Sequence, residues 1–220
     1  MQLSKDTVDI LKNFSAVNTN LVIKPGKSFS TVSPSKDFMA EYTGADDFTK
    51  KVCIFNLNEF LSVISAFGTP DIELHDNFAV ISEGKQKVKY FYAAEHLLVS
   101  PQKTINMPPS DVDFKITGSQ LQRIQKMSGI LSVDDVSFIG DGKTIIARVG
   151  DPKNTTGNQF DVELDTPTDK SFSIHFKMEK ISKLYSGEYD VSISSKKISK
   201  FNHCEKKLTV FIAVESDSQF

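Results

Sequence analysis

An amphipathic helical stretch followed by three short alternating strands occurs four times along the chain, the helical stretches beginning near Ser4, Asn58, Thr117 and Met178. The spacing of roughly 55 to 60 residues is too long for the common solenoid repeats and suits a complete βαβββ unit. Lead-in strands precede the last three helices at residues 51–57, 112–116 and 171–176, with apolar residues at alternate positions, as a half-buried strand requires. In the first repeat only Gln2-Leu3 stands for that strand.

Turn chemistry separates the strands within each repeat. Pro25-Gly26 and Ser33-Pro34-Ser35 serve the first repeat, Asp76-Asn77 and Glu83-Gly84-Lys85 the second. Gly140-Asp141-Gly142-Lys143 marks a hairpin in the third, and Ser195-Lys196 and His203-Cys204-Glu205 mark the turns of the fourth. Four repeats pair as two similar α+β domains, expected at residues 1–94 and 112–220. Between them, residues 95–111 have no steady period and carry Pro101, Pro108 and Pro109, which reads as an extended connector. Leu97, Leu98, Ile105 and Met107 in that connector are expected to pack it onto its own sheet, a role compatible with holding a partner peptide.

With 220 residues, 39% of them hydrophobic, the chain can bury a real core, and seventeen Phe with no Trp point to cores of Phe, Ile, Leu and Val. No apolar run approaches the roughly 20 residues of a membrane span, and the N-terminus shows no signal-peptide pattern, so a cytosolic protein is expected. Cys53 lies in an apolar strand and reads as a small buried hydrophobe; Cys204 lies in a turn. No disulfide is expected.

Catalytic chemistry has no foothold. His75, His96, His175 and His203 are scattered, with no second ligand at a metal-binding spacing, so neither a metal nor a cofactor is expected. Gly140-Asp141-Gly142-Lys143 lacks the spacing of a phosphate loop and precedes a strand rather than a helix. His203 and Cys204 are adjacent, and neighbours on a strand or turn point apart. The chain reads as a non-enzyme.

The helices carry the functional signal. In the first, Ile10, Leu11, Phe14 and Val17 form an apolar stripe, and at 100° per residue Lys5 and Lys12 fall together on the opposite face. In the third, Leu121, Ile124, Ser128 and Leu131 line the inner stripe; Ser119, Gln122 and Lys126 lie opposite, with Arg123 on the flank. The fourth turns Ile181 and Leu184 inward and places Lys180 and Lys183 on the flank and outer face. The second breaks the pattern, with Glu59, Ser62 and Ala66 outside. An ordinary solvated face explains any one helix, but three basic faces on equivalent helices of a chain with net charge −2 concentrate positive charge on one surface.

Residues 1–7 (Met-Gln-Leu-Ser-Lys-Asp-Thr), Leu11-Lys12-Asn13-Phe14 and the closing residues 214–220 resemble the ends of the DNA polymerase sliding clamps of T-even type bacteriophages. The resemblance implies a DNA-clamp fold: helices line a ring channel, sheets lie outside, and a homotrimer of two-domain subunits encircles duplex DNA. It implies a processivity factor that tethers the replicative DNA polymerase, is loaded by a clamp loader ATPase, and works in the cytoplasm of an infected bacterium. Channel geometry agrees, since three copies of four helices at roughly 9 to 10 Å spacing trace a circle about 36 Å across, leaving roughly 25 Å free. Lys5, Lys12, Arg123, Lys126, Lys180 and Lys183 are then expected to face DNA through sequence-independent phosphate contacts.

By the same resemblance a short apolar peptide from a partner would dock at Leu97, Leu98, Ile105 and Met107 with Val210 and Ile212 of the last strand. Ring closure would join two strands of opposite charge: residues 87–92, bearing Lys87, Lys89 and Phe91, and residues 159–165, bearing Asp161, Glu163 and Asp165. Two other readings compete. A phage structural or assembly β-protein with no DNA role would make the basic helix faces dispensable, and a monomeric factor clinging to DNA would need a stronger positive patch.

Overall fold

The computed structural model describes residues 1–154 and 156–220, which form two compact units, Met1–Thr104 and Ile105–Phe220. The first unit runs α1 (Lys5–Ser15), β1 (Leu21–Ile23), β2 (Gly26–Val32), β3 (Phe38–Phe48), β4 (Val52–Ile54), α2 (Leu57–Ala66), β5 (Asp71–Leu74), β6 (Phe78–Glu83) and β7 (Gln86–Phe91). The second runs β8 (Val112–Ile116), α3 (Gly118–Leu131), β9 (Asp135–Asp141), β10 (Thr144–Val149), β11 (Phe160–Pro167), β12 (Ser171–Lys177), α4 (Met178–Ile181), β13 (Tyr189–Ser194), β14 (Ile198–His203) and β15 (Leu208–Ala213).

Helix starts follow local capping chemistry. Ser4 Oγ accepts from Thr7 N and Asn56 Oδ1 from Glu59 N, both at 3.2 Å, so α1 and α2 begin where an N-cap oxygen is available. Asn56 therefore ends the strand expected to run to Leu57, and Leu57 becomes the first helical residue. At α3, Thr117 Oγ1 accepts from Gln120 N at 3.2 Å while Gln120 Oε1 accepts from Thr117 N at 2.9 Å, a reciprocal capping box. Thr117→Ala should lower the stability of the second unit by about 1 kcal/mol, read as a drop of a few degrees in its thermal midpoint.

The fourth helix is shorter than its sequence pattern suggests. It stops at Ile181, and Lys183 and Leu184 lie in the turns that follow. Lys177 provides no side-chain cap, and the chain must reach β13 through Gly187 at φ 143°. A Cβ at Gly187 would stand 2.2 Å from His203 Nε2, so only glycine allows this approach. No strand forms at Gln2-Leu3.

The repeats interlock: a lead-in strand does not join the three strands of its own repeat. β4, which opens the second repeat, pairs antiparallel with β1 of the first. β8 opens the third repeat but pairs with β13 of the fourth, Phe114 opposite Val191. β12 opens the fourth but pairs with β9 of the third, Ile174 opposite Phe138. The second unit thus carries strands in the orders β11-β10-β9-β12 and β15-β14-β13-β8, and the first carries β5-β6-β7 and the hairpin β2-β3. Gly142, at φ 84°, makes the β9-β10 turn, where Asp141 Oδ1 accepts from Lys143 N and Thr144 N at 2.9 and 2.8 Å. Gly140-Asp141-Gly142-Lys143 is a hairpin.

Each unit closes over its own core. Ile10, Leu11 and Phe14 of α1 are fully buried, and Leu57, Phe60, Leu61 and Ile64 form the buried face of α2. In the second unit Phe114, Phe138, Phe176, Phe201 and Tyr189 form a continuous aromatic chain, successive ring centroids 4.7, 5.8, 6.1 and 6.2 Å apart. Leu121, Ile124 and Ser128 are the buried face of α3, and Leu131 is half-buried. These stripes decide which residues each helix turns outward.

Candidate nucleic-acid interface and edge strands

On α1, Lys5 and Lys12 are exposed; the Lys5 side chain is 88% accessible, and its Nζ lies 2.5 Å from Asp9 Oδ2 one turn on. On α3, Ser119, Gln122, Arg123 and Lys126 are all exposed. Lys12, Arg123 and Lys126 make no ion pair among the described residues. Gln125 Nε2 donates to Ile181 O at 3.1 Å, fixing α3 against α4 and so the direction in which Arg123 and Lys126 point. The outer positions of α2, Glu59, Ser62 and Ala66, are exposed and carry no cation.

The lysines near α4 differ from the expectation of exposed channel cations. Lys180 keeps only 14% of its side chain accessible and pairs with Glu215 at 2.9 Å; Lys183 keeps 20% and pairs with Glu179 at 2.9 Å. Their charge is already answered by carboxylates, because α4 is a single turn and the segment beyond β15 brings Glu215 to it. Four cations are thus exposed on α1 and α3, Lys5 beside Asp9 and Lys12, Arg123 and Lys126 with no ion pair among the described residues.

Both strands expected at a subunit junction lie at sheet edges, β7 beside β6 only and β11 beside β10 only among the described ladders. On β7, Lys87, Lys89 and Phe91 are exposed, Phe91 at 67%, and Lys89 Nζ sits 3.8 Å from the Phe78 ring centroid. On β11, Asp161, Glu163 and Asp165 are exposed. Asp161 is not free for a partner: Arg148, opposite it in the ladder, donates Nε and a terminal nitrogen to its two oxygens at 2.8 and 2.7 Å. Gln120 Nε2 also donates to the Glu163 carbonyl at 3.2 Å. Glu163 and Asp165 are left to supply the acidic face.

The expected peptide pocket needs correction. Leu98 is buried against Val22 and Cys53, with Tyr92 and Ala93 alongside, so the connector does pack onto the first unit. Val210 and Ile212 are 1% and 0% exposed in the core of the second unit. None of these three can offer a side chain to a partner without opening its own core. Leu97 is 61% exposed, and Ile105 and Met107 are half-buried.

The cysteines and His203 are structural. Burial pushes the Cys53 thiol up, and desolvation with the neighbouring Asp190 carboxylate pushes up that of Cys204. His203 is buried, and its Nδ1 accepts from Glu205 N and Lys206 N at 3.1 and 3.2 Å. The proton therefore sits on Nε2, which donates to Ser186 O at 3.1 Å. Among the described residues no group of His, Cys, Asp and Glu is arranged to hold a metal, and no helix is long and apolar enough to cross a membrane.

Local sequence gave no sign of the partner of Lys180, since nothing nearby links it to Glu215, 35 residues on. Glu179 and Lys183 are four residues apart, Lys183 lying in the turn just past α4.

Comparison with known proteins finds similar chains by sequence and by structure. Residues 113–216 match the family described as gp45 sliding clamp, C terminal. The sliding clamp of Vibrio phage KVP40 is 29% identical over 224 residues, covering 98% of this chain and all of that protein. The sliding clamp of Escherichia phage RB69 is 29% identical over 227 residues, covering 99% of this chain and 98% of that one. Among solved structures, proliferating cellular nuclear antigen from Entamoeba histolytica superposes with a TM-score of 0.69 at 13% identity, covering 95% of this chain and 94% of that chain. The DnaN sliding clamp of Pseudomonas aeruginosa gives a TM-score of 0.67 at 10% identity over 98% of this chain and 64% of that chain. The fold is the DNA-clamp fold.

Proposed function

We propose that the chain, like the phage sliding clamps it resembles along its whole length, is a non-enzymatic processivity factor of DNA replication, and that three copies close into a ring around duplex DNA and tether the replicative polymerase to its template. A clamp loader ATPase opens and reseals the ring, and the work is done in the cytoplasm of the infected bacterial host. The observation that carries this reading is the pair of edge strands: β7 presents Lys87 and Lys89, β11 presents Glu163 and Asp165, and each has a ladder on one side only. Head-to-tail addition of a basic edge to an acidic edge is a heterologous contact, which continues until a ring closes. It also removes the aggregation hazard of two exposed edges.

DNA would be held by topology rather than by affinity. Lys12, Arg123 and Lys126, three cations per copy in a chain of net charge −2, supply enough attraction to centre a duplex and too little to stop it sliding. Tight binding would defeat the function. Of the connector and last-strand residues, the exposed Leu97 of the first unit is the one free to meet a partner peptide, while Leu98, Val210 and Ile212 are buried.

Two measurements test the proposal together. Sedimentation should give three times the chain mass. After loading, the protein should remain on closed circular DNA through gel filtration at a salt concentration that abolishes direct binding, and should leave within minutes once the circle is cut. Equal loss from circular and linear DNA would remove topological linkage and with it the ring.

A further inference from the structure

Residues 95–99 lie against the first unit without joining a sheet: Glu95–Leu97 is a single 3-10 turn after β7, and no strand among the described ladders pairs with the segment. Two side-chain amides from the loop between α1 and β1 hold it instead. Asn18, buried, donates Nδ2 to Val99 O at 3.1 Å and to Val32 O at 3.0 Å, and its Oδ1 accepts from Asn20 N at 2.9 Å. Asn20 Oδ1 accepts from Val99 N at 3.2 Å, and its Nδ2 donates to Phe55 O at 2.8 Å. Both main-chain groups of Val99 are thus satisfied by side chains, in the place of a strand neighbour. Lys51 Nζ adds an exposed ion pair to Glu95 at 2.6 Å.

Leu98 is the one buried side chain of the segment, seated on Val22 and Cys53, which are paired residues of β1 and β4, with Tyr92 and Ala93 alongside. The Tyr92 hydroxyl is buried and meets no hydrogen-bond partner among the described residues, which disfavours the closed arrangement. On one side the segment is anchored at Ala93, whose N–H donates to Cys53 O at 3.0 Å. On the other, residues 100–104 make no hydrogen bond or ion pair to the rest of the unit among the described residues; Gln102 bonds only to Ser100. Opening free energy follows buried apolar contact, and one leucine is little to give up, so the segment opens before the sheets do.

We propose that residues 95–99 form a latch, closed by Asn18, Asn20 and Leu98 and opposed by the buried hydroxyl of Tyr92, which opens as a unit and uncovers Val22 and Cys53 while β1 and β4 stay paired. Asn18 and Asn20 are its positioning residues. A single apolar contact at Leu98 does not orient a chain, whereas two amides on the N–H and the carbonyl of Val99 fix where it lies. The exposed Leu97 rides on the latch. On the reading that Leu97 meets a partner peptide, the closed latch presents that side chain in one place, and the open latch leaves the partner to order a loose loop at an entropic cost.

Cys53 reports the opening, because it is buried under Leu98 while Cys204 is exposed. Dithiodipyridine added to the full chain should label Cys204 at once and Cys53 slowly. The slow rate should barely change with urea below the unfolding transition, since a local opening exposes little surface. Asn20→Ala should raise the Cys53 rate by about tenfold or more, and Asn18→Ala further, since it also leaves Val32 O without its partner, with Cys204 labelling unchanged. Tyr92→Phe should lower the Cys53 rate by about threefold or more, the reverse of an ordinary core substitution. Equal Cys53 rates in the parent and Asn20→Ala, an equal or higher rate in Tyr92→Phe, or a Cys53 rate that follows global unfolding across the urea series overturns the proposal. Should Asn18→Ala fail to fold, the other two variants decide. Neither DNA nor a partner enters the test, so its failure is distinct from failure of ring closure or of peptide docking at Leu97.

Discussion

Replacing Lys12, Arg123 and Lys126 together by Gln should reduce loading and processive synthesis at physiological salt by about tenfold or more, since taking a cation away from a phosphate also removes close to one unit of salt dependence. The three side chains are exposed on helices whose opposite faces are packed, so stability should stay within about 0.5 kcal/mol of the parent and the oligomer should remain intact. Lys5→Gln, Lys180→Gln and Lys183→Gln provide the comparison. Those lysines already sit against Asp9, Glu215 and Glu179, so their removal changes the outward charge less and should cost processivity less. Primer extension on a long single-stranded template, run across a salt series, measures both sets. Full processivity of the triple variant would show that the α1 and α3 faces do not contact DNA.

Lys87→Glu with Lys89→Glu should dissociate the assembly, lowering the association constant by roughly ten- to a hundredfold. Each exposed ion pair contributes about 0.2 to 1 kcal/mol, and reversal turns attraction into repulsion at two positions. Restoring charges on the opposing edge should use Glu163→Lys with Asp165→Lys. Asp161 is a poor choice, because a lysine there would face the Arg148 guanidinium that Asp161 now holds with two hydrogen bonds. Both pairs of reversals in one chain should recover much of the oligomer, and added salt should weaken the parent only moderately, since main-chain bonds and apolar packing carry the rest. Sedimentation velocity across a concentration series reads all three variants. Unchanged mass in the first would exclude pairing of β7 with β11.

The repeats were legible because their signals are local. Alternation at residues 112–116 and 171–176, the helix starts near Ser4 and Thr117, and the Asp141-Gly142 turn are set within a few residues of themselves, and each became the element expected. Strand partners were not legible. β8 and β12 carry no sequence mark that sends them to the neighbouring repeat, because alternation fixes which face is buried and leaves the choice of neighbour to packing. The length of α4 was also hidden, since the approach of His203 to Gly187 limits the room before β13. For the site, the outward direction of Lys12, Arg123 and Lys126 followed from 100° per residue. The neutralisation of Lys180 by Glu215 and the burial of Leu98, Val210 and Ile212 join distant segments, and no local period reports them.

The exchange of lead-in strands has a consequence for how the second unit comes into being. Pairing Lys115 with Asp190 and Phe176 with Val136 ties the third and fourth repeats to each other twice, so neither can complete its sheet while the other is unfolded. Residues 105–220 should therefore melt as one cooperative block, with no half-folded species carrying a single repeat. The β8–β13 pairing must also close a loop spanning most of the unit before any of its hydrogen bonds can form, which places this ladder late and makes folding slow for the unit's size. Until it forms, β8 and β13 are exposed to the pairing that the finished sheet prevents, and a nascent chain is most prone to associate wrongly in that interval.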